Sequence, residues 1–152
     1  MKNNNNFVLR QNDKADYPAM FEIWEEAVKA THHFLSKSDI FKIGIQVKEY
    51  LANSTLVVVT DQNNTLLGFM GMTENKIDSL FVHPKYFGKG VGKFFIQHAS
   101  SLFLELLVDV NEDNEQAKLF YEKMGFRVFN RNELDDDGRP FPILNMMKSS
   151  LF

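Results

Sequence analysis

The sequence predicts a mixed α/β fold in which a mostly antiparallel sheet contains one parallel pair of strands and is flanked by helices. Apolar residues recur with helical spacing in four segments, and runs rich in β-branched residues separate them. One helical segment connects the runs at 77–82 and 104–110, and such a strand–helix–strand unit forms a right-handed parallel crossover. The predicted order of elements is β, α, α, β, β, β, α, β, α, β, β, with antiparallel outer hairpins.

The N-terminal part of the chain is predicted to form a strand at 7–10 followed by two helices. Asp16 stands where it can cap the first helix, with Pro18 in the first turn, and either Ser36 or Ser38 can cap the second. Helical spacing assigns each helix a buried face. The first face consists of Met20, Ile23, Trp24, Ala27 and Val28, and the second of Ile40, Ile43, Val47, Tyr50 and Leu51.

The next segment is predicted to form strands. Residues 56–59 and 66–72 flank the turn-forming residues 61–64, a pattern typical of a β-hairpin, and a third strand follows. Gly68 and Gly71 lie inside the second strand. Glycine at such a position often marks a bulge or the close approach of another backbone.

The C-terminal part is predicted to form a helix, a strand, a second helix and two final strands. The strand at 104–110 lies between the helices, and the final strands at 126–129 and 141–147 flank a turn at 135–138. Gly125 is well placed to end the second helix in a left-handed conformation. The inner faces consist of Val91, Phe94, Phe95, His98, Ala99 and Leu102, and of Ala117, Phe120, Tyr121 and Met124.

Composition limits the classes of function. A chain of 152 residues is about one domain long, so we expect a single domain over 1–152 with a disordered polar tail at 1–6. With 17 Lys and Arg against 20 Asp and Glu, bulk binding to nucleic acid or to an anionic membrane is not expected. The absence of cysteine excludes disulfides and cysteine nucleophiles. Neither a membrane span nor a signal peptide is recognisable, and we expect a cytoplasmic location.

The segment 82–93 is the most informative part of the sequence for function. It places three glycines between the end of a strand and the start of a helix, and they are Gly88, Gly90 and Gly92. Amides of such a turn can converge on an anion at the helix N-terminus, where the helix dipole also favours negative charge. Lys89 and Lys93 add positive charge, so the segment predicts a site for a phosphate group. A flexible connector is the alternative.

Two common phosphate-binding motifs do not match this segment. A P-loop requires Gly-x-x-x-x-Gly-Lys-Ser/Thr, but Gly88 and Gly92 are too close together and Phe94 occupies the hydroxyl position. The dinucleotide-binding fingerprint requires a glycine where this chain has Lys93. The sequence therefore predicts neither a P-loop nor a Rossmann site.

Two blocks of the sequence resemble the GNAT superfamily of acyl-CoA-dependent N-acyltransferases. Residues 82–84 (Val-His-Pro) and 90–92 (Gly-Val-Gly) are similar to the family's strand end and its [RQ]-x-x-G-x-[GA] signature, with Phe87 at the Arg or Gln position. The segment 111–126 is similar to the family's N-x-x-A-x-x-[FL]-Y-x-x-x-G-F pattern. The blocks occur in the family's order, one strand apart, so the resemblance extends over essentially the whole chain.

The resemblance implies that the chain uses acetyl-CoA as a co-substrate and that the central parallel strands splay apart around the pantetheine arm. The backbone at Phe81 and Val82 would polarise the thioester carbonyl, as preorganised donors do at a developing oxyanion. Asn114 would bind near the pantetheine, cap the helix that follows, or do both. The implied acetyl-CoA contacts are Leu80, Phe81, Val82, Phe87, Gly88, Lys89, Gly90, Val91, Gly92, Lys93, Asn111, Asn114, Ala117, Phe120 and Tyr121.

The resemblance also implies the residues that move protons. Tyr121 would protonate the departing CoA thiolate, and packing on its helix stripe is the alternative role. The acceptor must lose a proton before attack, because an alkylammonium group with a pKa near 10.4 is mostly charged at neutral pH. Asp78, His32 and His33 are the candidate bases, with solvation or helix capping as their alternative roles. The spacing of the histidines is not typical of a metal site, and no metal is expected.

The acceptor is expected to be a primary amine, and the sequence leaves open a small amine, an amino acid, an antibiotic, and a protein lysine or N-terminal amine. Segments 30–35 and 135–142 resemble small bacterial GNAT proteins, and the acids at 135–137 either attract a cationic amine or form a solvated turn. The last strands and the apolar end Leu151-Phe152 would permit a homodimer. Two other classes stay open: a CoA-binding sensor without catalysis, and an α/β protein that binds another phosphate ligand.

Overall fold

The computed structural model of the protein describes residues 6–150. Its helices and strands follow the predicted order, with bounds that differ from the predicted ones by a few residues. They are β1 Val8–Gln11, α1 Tyr17–Thr31, α2 Lys37–Asn53, β2 Val57–Thr60, β3 Leu66–Thr73, β4 Lys76–Val82, α3 Val91–Leu102, β5 Glu105–Asn111, α4 Glu115–Lys123, β6 Arg127–Asn132 and β7 Ile143–Ser149. The predicted tail (except Asn6) and Leu151-Phe152 lie outside the described residues, and the homodimer stays a prediction.

The strand pairing confirms the predicted fold class. Strands β1 and β2, β2 and β3, β5 and β7, and β6 and β7 pair in antiparallel fashion. Strands β4 and β5 pair in parallel, with Lys76 opposite Leu107 and Ile77 opposite Val108. Helix α3 connects them, as a parallel pair requires a crossover. The fold is therefore mixed α/β, mostly antiparallel with one parallel pair.

The residues form two compact units, which are described separately. The first contains the chain up to Gly71 together with Ser79–Phe95, and the second contains Met72–Asp78 and the chain from Ile96 onward. The expectation of one domain over the whole chain stays a prediction. In the first unit, the predicted face of α1 and the end of α2 pack on β2 and β3. The buried residues of this core are Met20, Ile23, Trp24, Val28, Leu51, Leu56, Val58 and Phe69.

The two helices of the first unit begin differently from each other. Of the two serines considered for α2, Ser36 is the cap, because its hydroxyl accepts a hydrogen bond from Asp39 N at 3.0 Å. The expectation that Asp16 caps α1 is wrong. Asp16 occupies the cap position, but its carboxylate binds Arg10 at 2.8 Å and accepts from Asp13 N at 2.8 Å. The reason is a short 3-10 helix before α1, whose own capping box uses this carboxylate.

The second unit buries one face of the strands β5 and β7. Buried and half-buried residues alternate along β5, as expected for a strand covered on one side. The apolar residues on the buried face are Leu106, Val108, Val110, Leu144 and Met146. Helix α4 contributes Tyr121, and Gly125 follows the helix with a φ of 102°, which confirms the predicted left-handed end.

Candidate active site

Strand β4 approaches β3 very closely at a glycine of β3. A Cβ atom added at Gly68 would lie 2.6 Å from the carbonyl oxygen of Phe81 and 3.3 Å from the Cα of Val82. The amide of His83 donates to Leu67 O at 2.9 Å. This bond holds the end of β4 against β3. The predicted close approach at Gly68 is confirmed, and it involves the backbone for which the resemblance implies thioester binding.

A short turn connects β4 to the glycine segment. His83 begins a 3-10 helix over Pro84–Tyr86, because its Nδ1 accepts a hydrogen bond from Lys85 N at 3.1 Å. Phe87 N then donates to Pro84 O at 3.1 Å. At Phe87, where the family signature has Arg or Gln, the backbone therefore takes part in closing the turn.

The segment that follows has the backbone of an anion-binding loop. Gly88 and Gly90 have φ values of 74° and 90°, in the left-handed region that favours glycine. Phe94 N donates to Gly90 O at 3.0 Å, so the three amides at 91–93 come before the first bond of α3 and point out of the helix end. A Cβ added at Gly88 would meet no atom within 4 Å, so the loop borders open space.

Two lysines supply charge to this loop. Lys89 and Lys93 are both exposed, whereas Gly90 and Gly92 are half-buried beside them. Free amides, the positive end of the helix dipole and two ammonium groups together can hold a diphosphate. The residues present therefore fit the pyrophosphate of a CoA molecule.

In the second unit, Asn114 begins helix α4. Its Oδ1 accepts a hydrogen bond from Ala117 N at 3.1 Å, and the residue is only 6% exposed. Asn114 N in turn donates to Asn111 O at 2.9 Å. The capping role considered for Asn114 is confirmed, and a contact with pantetheine stays a prediction.

Tyr121 is buried against two other aromatic rings. It is 6% exposed and makes edge-to-face contacts with Phe120 and Phe126, at centroid distances of 5.0 and 5.2 Å. Burial raises the pKa of the Tyr121 phenol above its ordinary value, so the phenol keeps its proton at neutral pH. Within residues 6–150 its hydroxyl forms no hydrogen bond, and no buried side-chain nitrogen or oxygen lacks a partner. The ring is therefore held by packing against its aromatic neighbours.

The carboxylate considered as a base lies at the β3–β4 hairpin. Asp78 is exposed, and its Oδ2 accepts a hydrogen bond from Thr73 Oγ1 at 2.5 Å. This bond fixes the orientation of the carboxylate.

The two adjacent histidines lie in different environments at the end of α1. His32 is half-buried and shares a hydrogen bond of 2.8 Å between its Nδ1 and Thr31 Oγ1, whereas His33 is exposed. Burial, and secondarily the charge of His33, lowers the pKa of His32 to about 4. His32 is therefore neutral at pH 7 and a weak proton acceptor.

The sequence-predicted site residues are divided between the two units. The first unit contains the segment from Leu80 to Lys93 and both histidines, and the second contains Asp78 and the α4 residues. Sequence reasoning missed two polar pairs. The first is Tyr50 with Ser79, and the second is Lys76 with Asp109, whose Nζ–Oδ2 distance is 2.7 Å. A carboxylate between two buried valines of β5 was the available signal for the second pair.

Two further findings concern metals and membranes. Over residues 6–150, no group of three or more histidine, aspartate or glutamate side chains is arranged to hold a metal ion. No helix in this part of the chain has the length and apolar character of a membrane span.

Comparison with known proteins identifies relatives of the whole chain. A family model described as an acetyltransferase (GNAT) domain matches residues 23–149. The peptidyl-lysine N-acetyltransferase YjaB of Salmonella typhimurium LT2 is 40% identical over 91% of this chain and 96% of the relative. The YjaB protein of Escherichia coli K12 is 38% identical over 91% of this chain and 94% of the relative.

Solved structures agree with the sequence comparison. The solution structure of apo YjaB from Escherichia coli superposes with a TM-score of 0.89 at 37% identity, covering 93% of this chain and 96% of that one. The PaiA N-acetyltransferase of Thermoplasma acidophilum, in complex with coenzyme A, has a TM-score of 0.74 at 23% identity, covering 94% and 98%. At that identity the second match supports the fold alone.

Proposed function

The chain belongs to the GNAT acetyltransferase family and is an N-acetyltransferase, and we propose that it transfers the acetyl group of acetyl-CoA to the ε-amine of a protein lysine. The lysine acceptor is proposed because peptidyl-lysine is the acceptor in the names of its curated relatives. Among the amines that the sequence leaves open, the names of these relatives favour a protein lysine.

The observation that carries the proposal is the backbone of the glycine loop. Left-handed turns at Gly88 and Gly90 precede a helix end whose first amides, at 91–93, have no partner within the helix. We assign the pyrophosphate of acetyl-CoA to these amides, and Lys89 and Lys93 add charge at the rim. This assignment needs no particular side chain at position 87, so the departure from the family signature does not contradict it.

The proposed reaction is a direct attack in a ternary complex. The neutral amine forms a bond to the thioester carbonyl carbon, and the carbonyl oxygen becomes an oxyanion that the backbone amide at Val82 stabilises. The C–S bond then breaks, and the amine nitrogen loses its remaining extra proton to solvent. The phenol of Tyr121 gives its proton to the departing CoA thiolate, in concert with its departure, and regains one from water. The raised pKa of Tyr121 keeps the phenol protonated before the reaction but makes it a weaker acid, so its proton moves only in concert with departure of the thiolate.

Three residues are candidates for the base that deprotonates the amine, and their environments differ. Of the three candidates, His32 is the least accessible, because it is half-buried and its Nδ1 shares a hydrogen bond with Thr31 Oγ1. Asp78 and His33 are both exposed and accessible to water. We propose that Asp78 accepts the proton through water. In that case Asp78→Asn lowers kcat, whereas His32→Ala leaves kcat nearly unchanged.

The test of the proposed function has two stages. In the first, thermal unfolding is compared in the presence of acetyl-CoA, CoA, ATP and NAD at equal concentrations. A ligand at 100 times its dissociation constant stabilises a protein by about 2.7 kcal/mol, and we expect this only for the two CoA compounds. Equal shifts with ATP would indicate another phosphate ligand instead.

In the second stage, acetyl-CoA is mixed with an N-terminally blocked, cysteine-free peptide that contains one lysine. Thiol release can be followed with a thiol reagent, because the chain has no cysteine of its own. The matched control peptide has arginine in place of lysine. Release only with the lysine peptide is the expected result, whereas tight CoA binding with no release to any amine would identify the sensor alternative.

A further inference from the structure

Helix α2 is joined to strand β4 by a pair of hydroxyl groups. Tyr50 Oη lies 2.8 Å from Ser79 Oγ, and both residues are half-buried. Gly71 of β3 lies directly beside this pair. A Cβ added there would overlap the Tyr50 hydroxyl and lie 3.0 Å from Ser79 Oγ. The glycine therefore leaves the space that the hydroxyl pair occupies.

We propose that Tyr50 is a positioning residue for acetyl transfer, which acts by holding the β4 backbone through Ser79. The inference rests on the proposed function, since it concerns the same thioester. In this proposal Tyr50 does not touch the substrate but orients the β4 backbone amide that binds the thioester carbonyl.

The orientation of that amide follows from the contacts of β4 with β3. Phe81 O faces β3 at Gly68, and His83 N donates to Leu67 O of the same strand. In a planar trans peptide the C=O and N–H bonds point in opposite directions. Val82 N–H therefore points away from β3.

Two glycines of β3 thus leave room for contacts that help to position β4, its hydrogen-bonded neighbour in the sheet. Gly68 admits the Phe81 carbonyl, and Gly71 admits the Tyr50 hydroxyl that binds Ser79. The stretch from Ser79 to Val82 is therefore held at one end by a side chain and at the other by its backbone. Releasing the Ser79 end lets the peptide plane before Val82 rotate, and a misplacement of about 1 Å can cost roughly 100-fold in rate.

The experiment compares Tyr50→Phe, Ser79→Ala and the double variant. Each single variant is expected to lower kcat about tenfold, with the dissociation constant of CoA unchanged within about twofold, because the glycine loop is untouched. The double variant is expected to be no slower than either single variant, since all three lose the same bond. Tyr17→Phe is the matched control, because it removes a hydroxyl bond of 3.0 Å to Ala52 O, away from β4.

A spectroscopic measurement separates positioning from stability. The carbonyl carbon of bound [1-13C]acetyl-CoA reports polarisation of the thioester, and in Tyr50→Phe its signal is expected to move toward that of the free compound. Unchanged kcat and an unchanged carbonyl signal in Tyr50→Phe would overturn the inference, as would fully additive losses in the double variant. Failure of the proposed function is distinct, since it would appear in the wild-type protein as no acetyl-CoA-dependent thiol release.

Discussion

The glycine loop after β4 and the helix α4 differ in the kind of atoms that the proposed function assigns to acetyl-CoA binding and transfer. The loop offers backbone amides, which are made available by left-handed conformations at Gly88 and Gly90. Helix α4 offers side chains, namely the buried phenol of Tyr121 and the capping amide of Asn114. Substitutions in the loop should therefore act through conformation, whereas those in α4 should act through the loss of a particular chemical group.

This difference explains how the chain can depart from the family signature at one place and keep it at another. Phe87 replaces a polar side chain in the loop, where its backbone N–H still closes the turn on Pro84. In α4, Tyr121 and Asn114 both match the family pattern, and the proton donation proposed for Tyr121 and the cap formed by Asn114 each depend on a side chain. The predictions below test this contrast, from the largest expected effect to the smallest.

The largest effect is expected at Tyr121. Replacing it by phenylalanine keeps the aromatic packing on Phe120 and Phe126 but removes the proton donor. We expect turnover to fall by about 100-fold or more, as for loss of a general acid, with CoA affinity and melting temperature nearly unchanged. Steady-state kinetics, calorimetry and thermal unfolding measure these three quantities. Turnover within threefold of wild type would show that Tyr121 contributes only packing and no proton.

A smaller effect is expected at Gly88, and it should fall on binding. Gly88→Ala meets no neighbour within 4 Å, so its only penalty is the φ of 74°. A left-handed conformation costs an alanine about 1–2 kcal/mol, and we expect CoA affinity to fall about five- to thirtyfold if the loop shifts to relieve it. Gly88→Asn is the control, because asparagine tolerates this conformation better. Equal losses of CoA affinity in both variants, measured by calorimetry, would indicate that any side chain at position 88 occupies space that CoA needs. The backbone conformation would then not be the cause.

The next prediction is that the side chain of Phe87 contributes almost nothing to CoA affinity. This outcome would sharpen the comparison between the glycine loop and α4. Phe87→Ala removes the side chain at the departing position without changing the turn. We expect CoA affinity within about threefold of wild type by calorimetry. A loss as large as that of Gly88→Ala would mean that the loop also depends on a side chain, and the contrast with α4 would fail.

The smallest effect concerns His32, which lies outside both regions. Its pKa is lowered to about 4 from an unfolded value near 6.5, so the unfolded chain binds a proton that the folded chain does not. Stability from this residue is therefore present above pH 6.5 and is lost as the pH falls toward 4. We expect the melting temperature of His32→Asn to fall less between pH 7 and pH 5 than that of wild type. If the melting temperatures of the two proteins depended on pH in the same way, His32 would be solvated in the folded protein.

Parts of the candidate site could be predicted because they depend on near neighbours in sequence. Helical spacing placed Tyr121 on an inward stripe, and the glycine at 125 marked the end of that helix. The glycines of the loop predicted a tight turn that can bind a phosphate group, and in the structure Gly88 and Gly90 have left-handed conformations. For Ser36 and Ser38, local chemistry offered two equal caps, and only the register of the helix start decided between them.

Other features required the folded chain. Asp16 is a good cap by its residue type and position, but Arg10 and the preceding turn bind its carboxylate instead. The glycines of β3 indicated a close approach, yet the partner atoms, Phe81 O and the Tyr50 hydroxyl, belong to other elements, β4 and α2, and only the fold shows which atoms they are.

The sequence by itself thus determined the order of elements, the fold class and the backbone character of the loop, because periodicity and φ preferences act over a few residues. Only the tertiary structure decided the lowered pKa of His32, the raised pKa of Tyr121 and the bond between Tyr50 and Ser79. Burial and hydrogen-bond partners depend on which distant elements pack together, and that information is not contained in any short segment of the chain.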